Sequence, residues 1–522
     1  VEGCRTSTTL AALAQTQIAL DEVDAAVAAA REALDLSLQR RHGDTDPSDA
    51  ASARIAAEVL LRCGHAEYAY DALRGARLSD ALSVTFALLA SSMGEIAEAE
   101  DALVGRSGPL VASFRGYLHA QSGNWQSAVG DLRHAVNEAP EDVDSLFNLS
   151  ISLWHLGAKK KATRAALRAT RTAPGRKDIS LHYLELLLAQ GDIARATAEM
   201  ASLDASGVVE DGSLLEMRAR IALAAGEKAR AVSLLEQAAT AARREGDEAL
   251  EGTVQANLSV LKYEMGRISR GVALDRLSGL LSKITDNDAI VLSYAQVAQL
   301  RSEAPKLRQA VSRLGDNTTP PRRAYFKHRI AVLEGENDAA GYAAEEWFEL
   351  EPENVMSAAA AVVSIGIGQE RWDDAVKVAE YALSHFPHDS LLLNNSAYVL
   401  AMSGRAEEAI RLLEPAVEGN HVLSATLGLA YLAHGDLHRG MRLYREAADK
   451  AEKVDPASRS LMTAYQALIV RELGIDKTHP AEIVSALALV PVDLPEDWNE
   501  RSDFLRIYNV CRKHNYKWPL SL

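Results

Sequence analysis

Catalysis and metal binding need particular side chains at workable spacing, and this sequence offers few such sets. The one metal-like spacing is His434-Gly-Asp-Leu-His438. Gly435 marks a turn between the two imidazoles, so they do not share a helical face. No third ligand lies near them, and zinc sites want three or four. Two surface histidines are the better reading, and no metal or other cofactor is expected. A phosphate-cradling GxxxxGK[ST], a nucleophilic GxSxG, a zinc-protease HExxH and a dinucleotide GxGxxG are all missing. Carboxylates abound, as on any acidic helical surface, and none stands out as a general acid or base. The chain is expected not to be an enzyme.

Charge is patterned, however. No acidic residue occurs from Ser145 to Lys177, while Lys159, Lys160, Lys161, Arg164, Arg168, Arg171, Arg176 and Lys177 cluster there. At helical spacing Lys161, Arg164, Arg168 and Arg171 share one face. Such a stripe could dock an acidic protein or RNA. No aromatic side chain is interleaved for base stacking, so a solvated face is the first expectation. Glu334 to Asn354 is its opposite, with eight acids and no base. Patches of opposite sign could support head-to-tail self-association. The net charge of −16 and pI near 5.4 argue against broad nucleic-acid binding.

At 522 residues the chain is too long for one compact core. It is 48% hydrophobic but only 5% aromatic, which suits helices packed through small residues. The three cysteines, Cys4, Cys63 and Cys511, are far apart with no CxxC, which fits a reducing, cytoplasmic setting. No apolar run reaches the ~18 residues of a membrane span. The opening VEGCRTSTTL shows no signal peptide, and Val-Glu-Gly-Cys matches a lipoprotein box poorly because of Glu2.

The elements that position everything else are clearest from Val143 to Pro174. Leu146, Leu149, Leu153 and Leu156 form the stripe of one half-buried helix, and Gly157–Ala158 form a turn. A second helix follows, with Ala162, Ala166 and Ala169, and it ends before Pro174. This spacing resembles the tetratricopeptide repeat (TPR), a helix–turn–helix unit of ~34 residues. Ser150 stands at the small position that lets the two helices approach. The frame repeats from Pro109 (Gly116, Gly123, Ala128, Leu132), from Lys177 (Gly191, Ala196) and from Gly212 (Ala219, Gly226, Ala231).

Looser units begin near Ser7, Ala50 and Asp80, with a long second helix expected through LQRRHGDTDPSD and the same lengthening at AARREGDEALEG and AADKAEKVDPASRS. The middle is weakest, near Gly252 and Val291, with Pro305 in a turn. After the turn-rich GDNTTPP, units follow from Pro321, Met356, Ser390 and His421, with a partial one from Ser460. The resemblance therefore implies an all-α, right-handed superhelical solenoid of about 13–14 such units with a C-terminal capping helix. The expected division is an N-terminal solenoid half over 1–314, a joint at 315–321, a C-terminal half over 322–490, and a cap and tail over 491–522.

In TPR proteins the first helix of each unit lines a concave groove. At its sixth position stand Asn148, Asn257 and Asn395, with Asn394 beside the last. This resembles the asparagine ladder of some TPR peptide binders, since an amide both donates to and accepts from a peptide backbone. Phe147, Trp154 and His155 would line the groove beside Asn148, and Tyr398 beside Asn395. The ladder is interrupted by His182, Met217, Phe326 and Ala361, and a lysine-rich carboxylate clamp is not evident. Trp125, Trp347 and Trp372 are expected to pack structurally.

The resemblance implies a non-enzymatic scaffold or adaptor that holds a protein partner, as an extended peptide or a helix, in its groove. One alternative is a regulatory or sensor subunit whose enzyme is another chain. A third is a nucleic-acid-associated repeat using the Lys159–Lys177 patch, which the overall charge disfavours. No membrane partner is expected.

Overall fold

A computed structural model of the chain describes residues 6–39, 47–76, 78–315, 318–453, 456–488, 494 and 497–517. The architecture is all-α. Among the described residues the one extended pairing is an isolated antiparallel bridge between Leu300 and Arg501. No helix among them is long and apolar enough to cross a membrane. The chain divides into two compact units, Val1–Leu234 and Leu235–Leu522. Cys4, residues 40–46 of the expected long second helix, residues 316 and 317 of the expected joint, and residues 491–493, 495–496 and 518–522 of the expected cap and tail lie outside the described residues.

The repeating pair is seen most plainly at Val143–His155 and Lys159–Thr172. Asp142 opens the first helix by accepting the Ser145 backbone N–H at 3.3 Å, which satisfies one of the orphan donors of the first turn. Gly157 closes it at φ 72°, a left-handed conformation glycine adopts without a Cβ penalty. Gly123 and Gly191 hold the same conformation in the adjacent units, at φ 74° and 72°. Leu146, Leu149 and Leu153 are buried, and the facing helix buries Ala162, Ala166 and Ala169. Ser150 is wholly buried between them and donates to the Ala162 carbonyl at 3.0 Å.

In the Val1–Leu234 unit the first helices Ser7–Ala19, Pro47–Arg62, Asp80–Ser92, Pro109–Gln121 and Val143–His155 pack side by side. Their partners, from Ala66–Leu73 onward, scarcely touch one another. The crowded layer is the inner face of a curved stack, the solenoid arrangement.

The Leu235–Leu522 unit repeats the plan from Glu248–Glu264 to Leu437–Glu452, then adds Pro456–Glu472 and two short helices. Pro305 lies at the start of the helix Ala304–Leu314. The helix Val355–Val363 runs into a π-helical turn at Ser364–Gly368, and Glu370 follows at φ 58°. The last helix, Ser502–Lys513, packs on Pro456–Glu472 and also reaches back to Pro320–Glu334. Its buried residues are Ser502, Phe504, Leu505, Ile507, Val510 and Cys511.

Candidate functional site

On the inner face of the first unit, Phe147, Asn148, Ile151 and Trp154 are half-buried and His155 is exposed. Phe147 meets the edge of His182 with ring centroids 5.2 Å apart. The Ser150 hydroxyl already donates to the Ala162 carbonyl, so His182 Nε2, 3.0 Å away, donates to Ser150 Oγ. Burial lowers the His182 pKa, in keeping with that neutral ring. His155 stacks flat on Trp125 at 3.9 Å, and desolvation lowers its pKa as well. The ammonium of Lys159 lies 6.0 Å from the Trp154 ring centroid.

The Asn148 side chain makes no hydrogen bond among the described residues, although the ridge around it is well partnered. Arg176 binds Asp144 at 3.2 Å and Asp178 at 2.7 Å. Arg220 binds Glu185 at 3.0 Å and lies 3.9 Å from Glu216, whose pKa burial raises. The site therefore offers aromatic surface and a free amide among charges that are already neutralised.

Lys161, Arg164, Arg168 and Arg171 are all exposed on Lys159–Thr172. Arg168 donates to the Pro140 carbonyl at 3.1 Å, and the other three make no ion pair among the described residues. Arg176 and Lys177, the far end of the basic run, are taken up by Asp144, Asp178 and Asp211. His434 and His438 are exposed. Among the described residues no three His, Cys, Asp or Glu side chains converge as metal ligands would.

The asparagines of the second unit are placed differently. Asn257 is half-buried, and its amide makes no hydrogen bond among the described residues. Asn394 accepts from Thr426 at 2.6 Å and donates to Asn395 at 3.3 Å, while Asn395 donates to the Ala359 carbonyl at 3.4 Å. Both thus brace neighbouring helices. Tyr398 is buried, 8% exposed, against Tyr465 with centroids 6.2 Å apart, and burial raises its pKa.

Asn395 borders a cavity of about 390 Å³ that the sequence reading did not single out. Tyr325, His328, Trp347 and Tyr465 line it, with Asp503 and Arg506 supplied by the C-terminal helix. His328 Nε2 lies 3.1 Å from Ser364 Oγ, and its Nδ1 is buried without a partner among the described residues. One signal was available: in the frame from Pro321, His328 occupies the eighth position, where a small residue belongs. Tyr465 and Arg506 carry no such signal, because they reach the cavity from helices remote in sequence.

A family model for the tetratricopeptide repeat matches residues 115–177 and 367–420. Among solved structures, a tetratricopeptide repeat protein of Parabacteroides merdae is 18% identical, covering 47% of this chain and 97% of its own, with a TM-score of 0.34. The APC/C hetero-tetramer Cut9–Hcn1 is 12% identical, covering 85% of this chain and 96% of its own, with a TM-score of 0.41. No curated protein matches. One matched stretch falls in each compact unit, and the same helix-pair plan continues on both sides of it, so the chain carries tetratricopeptide repeats within a longer all-α array of helix pairs.

Proposed function

We propose that the chain is a non-enzymatic adaptor that holds a segment of a protein partner on the inner face of its first unit, at Phe147, Asn148, Trp154 and His155. The Asn148 amide carries this reading. It is half-buried and unpaired among the described residues, beside the half-buried Phe147 and Trp154, which share one helical face two turns apart, and the nearby charges are already matched. An amide in that setting both donates to and accepts from a peptide backbone, and Phe147 and Trp154 offer apolar area to its side chains along one side. The lack of a recognisable catalytic set in the sequence fits the same reading.

The test is capture of partners from native lysate, quantified by mass spectrometry, with two double variants. Phe147→Ala with Asn148→Ala removes the inner-face anchors. Arg164→Glu with Arg168→Glu reverses the outer stripe. The expected result is a partner whose affinity falls about 30-fold, roughly 2 kcal/mol, with the first variant and is unchanged with the second. Loss with the second variant alone would move the interface to the outer helix. Recovery of nucleic acid that the charge reversal abolishes would establish the basic-patch reading in its place.

A further inference from the structure

In a repeat stack each unit touches its sequence neighbours, so hydrogen bonds between distant residues are foreign to the plan. The helix Ser502–Lys513 makes several. Ahead of it, Arg301 N–H donates to the Glu500 carbonyl at 2.6 Å and Ser502 N–H to the Gln299 carbonyl at 3.1 Å. Midway, Asn509 Nδ2 donates to the Gly335 carbonyl. At its end, Lys513 and His514 reach the Glu370 carboxylate at 3.1 and 3.0 Å. On its apolar side Ile507, Val510 and Cys511 join Ala464 and Leu468. One short helix thus spans several pairs of the second unit, as a bound ligand helix would.

The surface beneath is adapted to it. Gly335 is the left-handed turn glycine of its pair, at φ 72°, and the helix uses the space: a Cβ there would lie 3.1 Å from Asn509 Nδ2 and 3.2 Å from Leu505 Cβ. Glu370 holds a left-handed conformation that costs a non-glycine residue energy, directly after the π-helical turn. Irregularities of both kinds concentrate at functional sites. Burial opposes ionisation of Glu370, yet hydrogen bonds from His514 and Lys513 hold its pKa below the usual range.

The fit is incomplete. The cavity of about 390 Å³ remains beside the helix, which presents charged Asp503 and Arg506 to Tyr325 and Trp347. Two apolar lining residues, Met356 and Leu391, stay 54% and 44% exposed. His328 Nδ1 is left without a partner among the described residues. A helix with an apolar side chain in place of Arg506 would cover more of this surface.

We propose that the inner face of the second unit is a helix-binding groove, that the chain's own Ser502–Lys513 is its resident occupant, and that its partner is an amphipathic helix with the same apolar stripe and an apolar residue in place of Arg506, which displaces the resident. This rests on the adaptor reading of the chain but concerns a different face. The lysate test above reads Phe147 and Asn148, so a failure there is distinguishable from a failure of the peptide test below.

The experiment uses the full chain and a fluorescein-labelled synthetic peptide of residues 499–516 carrying Arg506→Leu, followed by fluorescence anisotropy. A tethered resident competes at an effective concentration in the millimolar range, so wild type should bind the peptide weakly. Ile507→Asp in the full chain unseats the resident and should tighten peptide binding at least tenfold, with far-UV helicity retained. The unsubstituted peptide should bind this variant severalfold more weakly than the Arg506→Leu peptide. Should Ile507→Asp fail to fold, Asn509→Ala with Lys513→Glu loosens the polar contacts and serves the same comparison. Equal peptide affinity in wild type and variant, or no binding to either, overturns the proposal. So does a concentration-dependent wild-type dimer that Ile507→Asp abolishes, because it would assign the groove to a second copy's helix.

Discussion

Gly428→Val is expected to lower stability by about 3 kcal/mol, the upper part of the range for forcing extra carbons into a packed core. Gly428 lies in His421–His434, which packs on Leu437–Glu452. A Cβ there would sit 2.9 Å from the Gly440 carbonyl oxygen and 3.0 Å from the Tyr444 nitrogen. Both are backbone atoms, so no rotamer change relieves the clash and the helices must separate. Gly440 mirrors the constraint, its Cβ falling 2.8 Å from the Gly428 oxygen. Gly116→Ala is the milder case. There a Cβ meets Leu132 Cγ at 2.6 Å and the Leu132 nitrogen at 3.2 Å, and because Leu132 is fully buried the single added methyl should still cost about 2 kcal/mol. Gly130→Ala serves as control, since nothing lies within 4 Å of its Cβ position. It should gain about 0.5–1 kcal/mol from helix propensity alone. Guanidinium unfolding followed by far-UV circular dichroism separates the three. Similar midpoints for Gly428→Val and Gly130→Ala would refute the close-packing argument.

These glycines also show why so much of the fold was legible. The pattern of small residues, turn glycines and apolar stripes is local, so frames set at Pro109, Val143, Lys177, Gly212, Ser390 and His421 coincide with the observed helix starts. At two of the places where the frame slips, the preceding second helix is long, as expected from AARREGDEALEG and AADKAEKVDPASRS. Lys228–Glu245 runs 18 residues, and the next helix opens at Glu248 rather than near Gly252. Leu437–Glu452 runs 16, and Pro456 rather than Ser460 begins its successor. A step of ~34 residues cannot carry such insertions.

The candidate sites were only half legible, for a related reason. A residue's repeat position says that Asn148 and Asn395 face inward, but not what already lies over them. Asn148 is left open, whereas Asn395 is tied to Ala359 and borders the cavity closed by Arg506. Tyr398 was expected beside Asn395 in the groove and is packed on Tyr465 in the interior. The return of Ser502–Lys513 depends on contacts such as Asn509 with Gly335, 174 residues apart. A repeat frame encodes neighbours and is silent about these.

His328 is expected to give the second unit an acid-sensitive limb. Its ring is 7% exposed, with Trp347 at a centroid distance of 6.2 Å. Burial, then the positive charges of Arg329 and Arg506, push its pKa from 6.5 down to about 3. The folded state therefore refuses a proton that the unfolded chain accepts below about 6.5. The associated stability is fully present above that pH and is lost progressively as pH falls toward about 3. At pH 5 the gap is about 1.5 pH units, or about 2 kcal/mol. The many carboxylates titrate in the same window, so the informative quantity is a difference between two proteins. His328→Gln retains a hydrogen-bonding group for Ser364 and removes the titration. It should be less stable than wild type at pH 7.5, by about 1–2 kcal/mol of lost packing, and should close or reverse that deficit by pH 5. Urea unfolding of both proteins at pH 7.5, 6, 5 and 4 measures this directly. A deficit that stays constant across the series would mean that His328 is already charged in the folded state, or that its surroundings admit water. Arg506→Gln adds a second lever from the C-terminal helix. With one positive charge removed, the folded pKa of His328 rises toward 6.5, the window narrows, and the acid limb becomes shallower. That response would tie the buried histidine to the helix that closes its cavity.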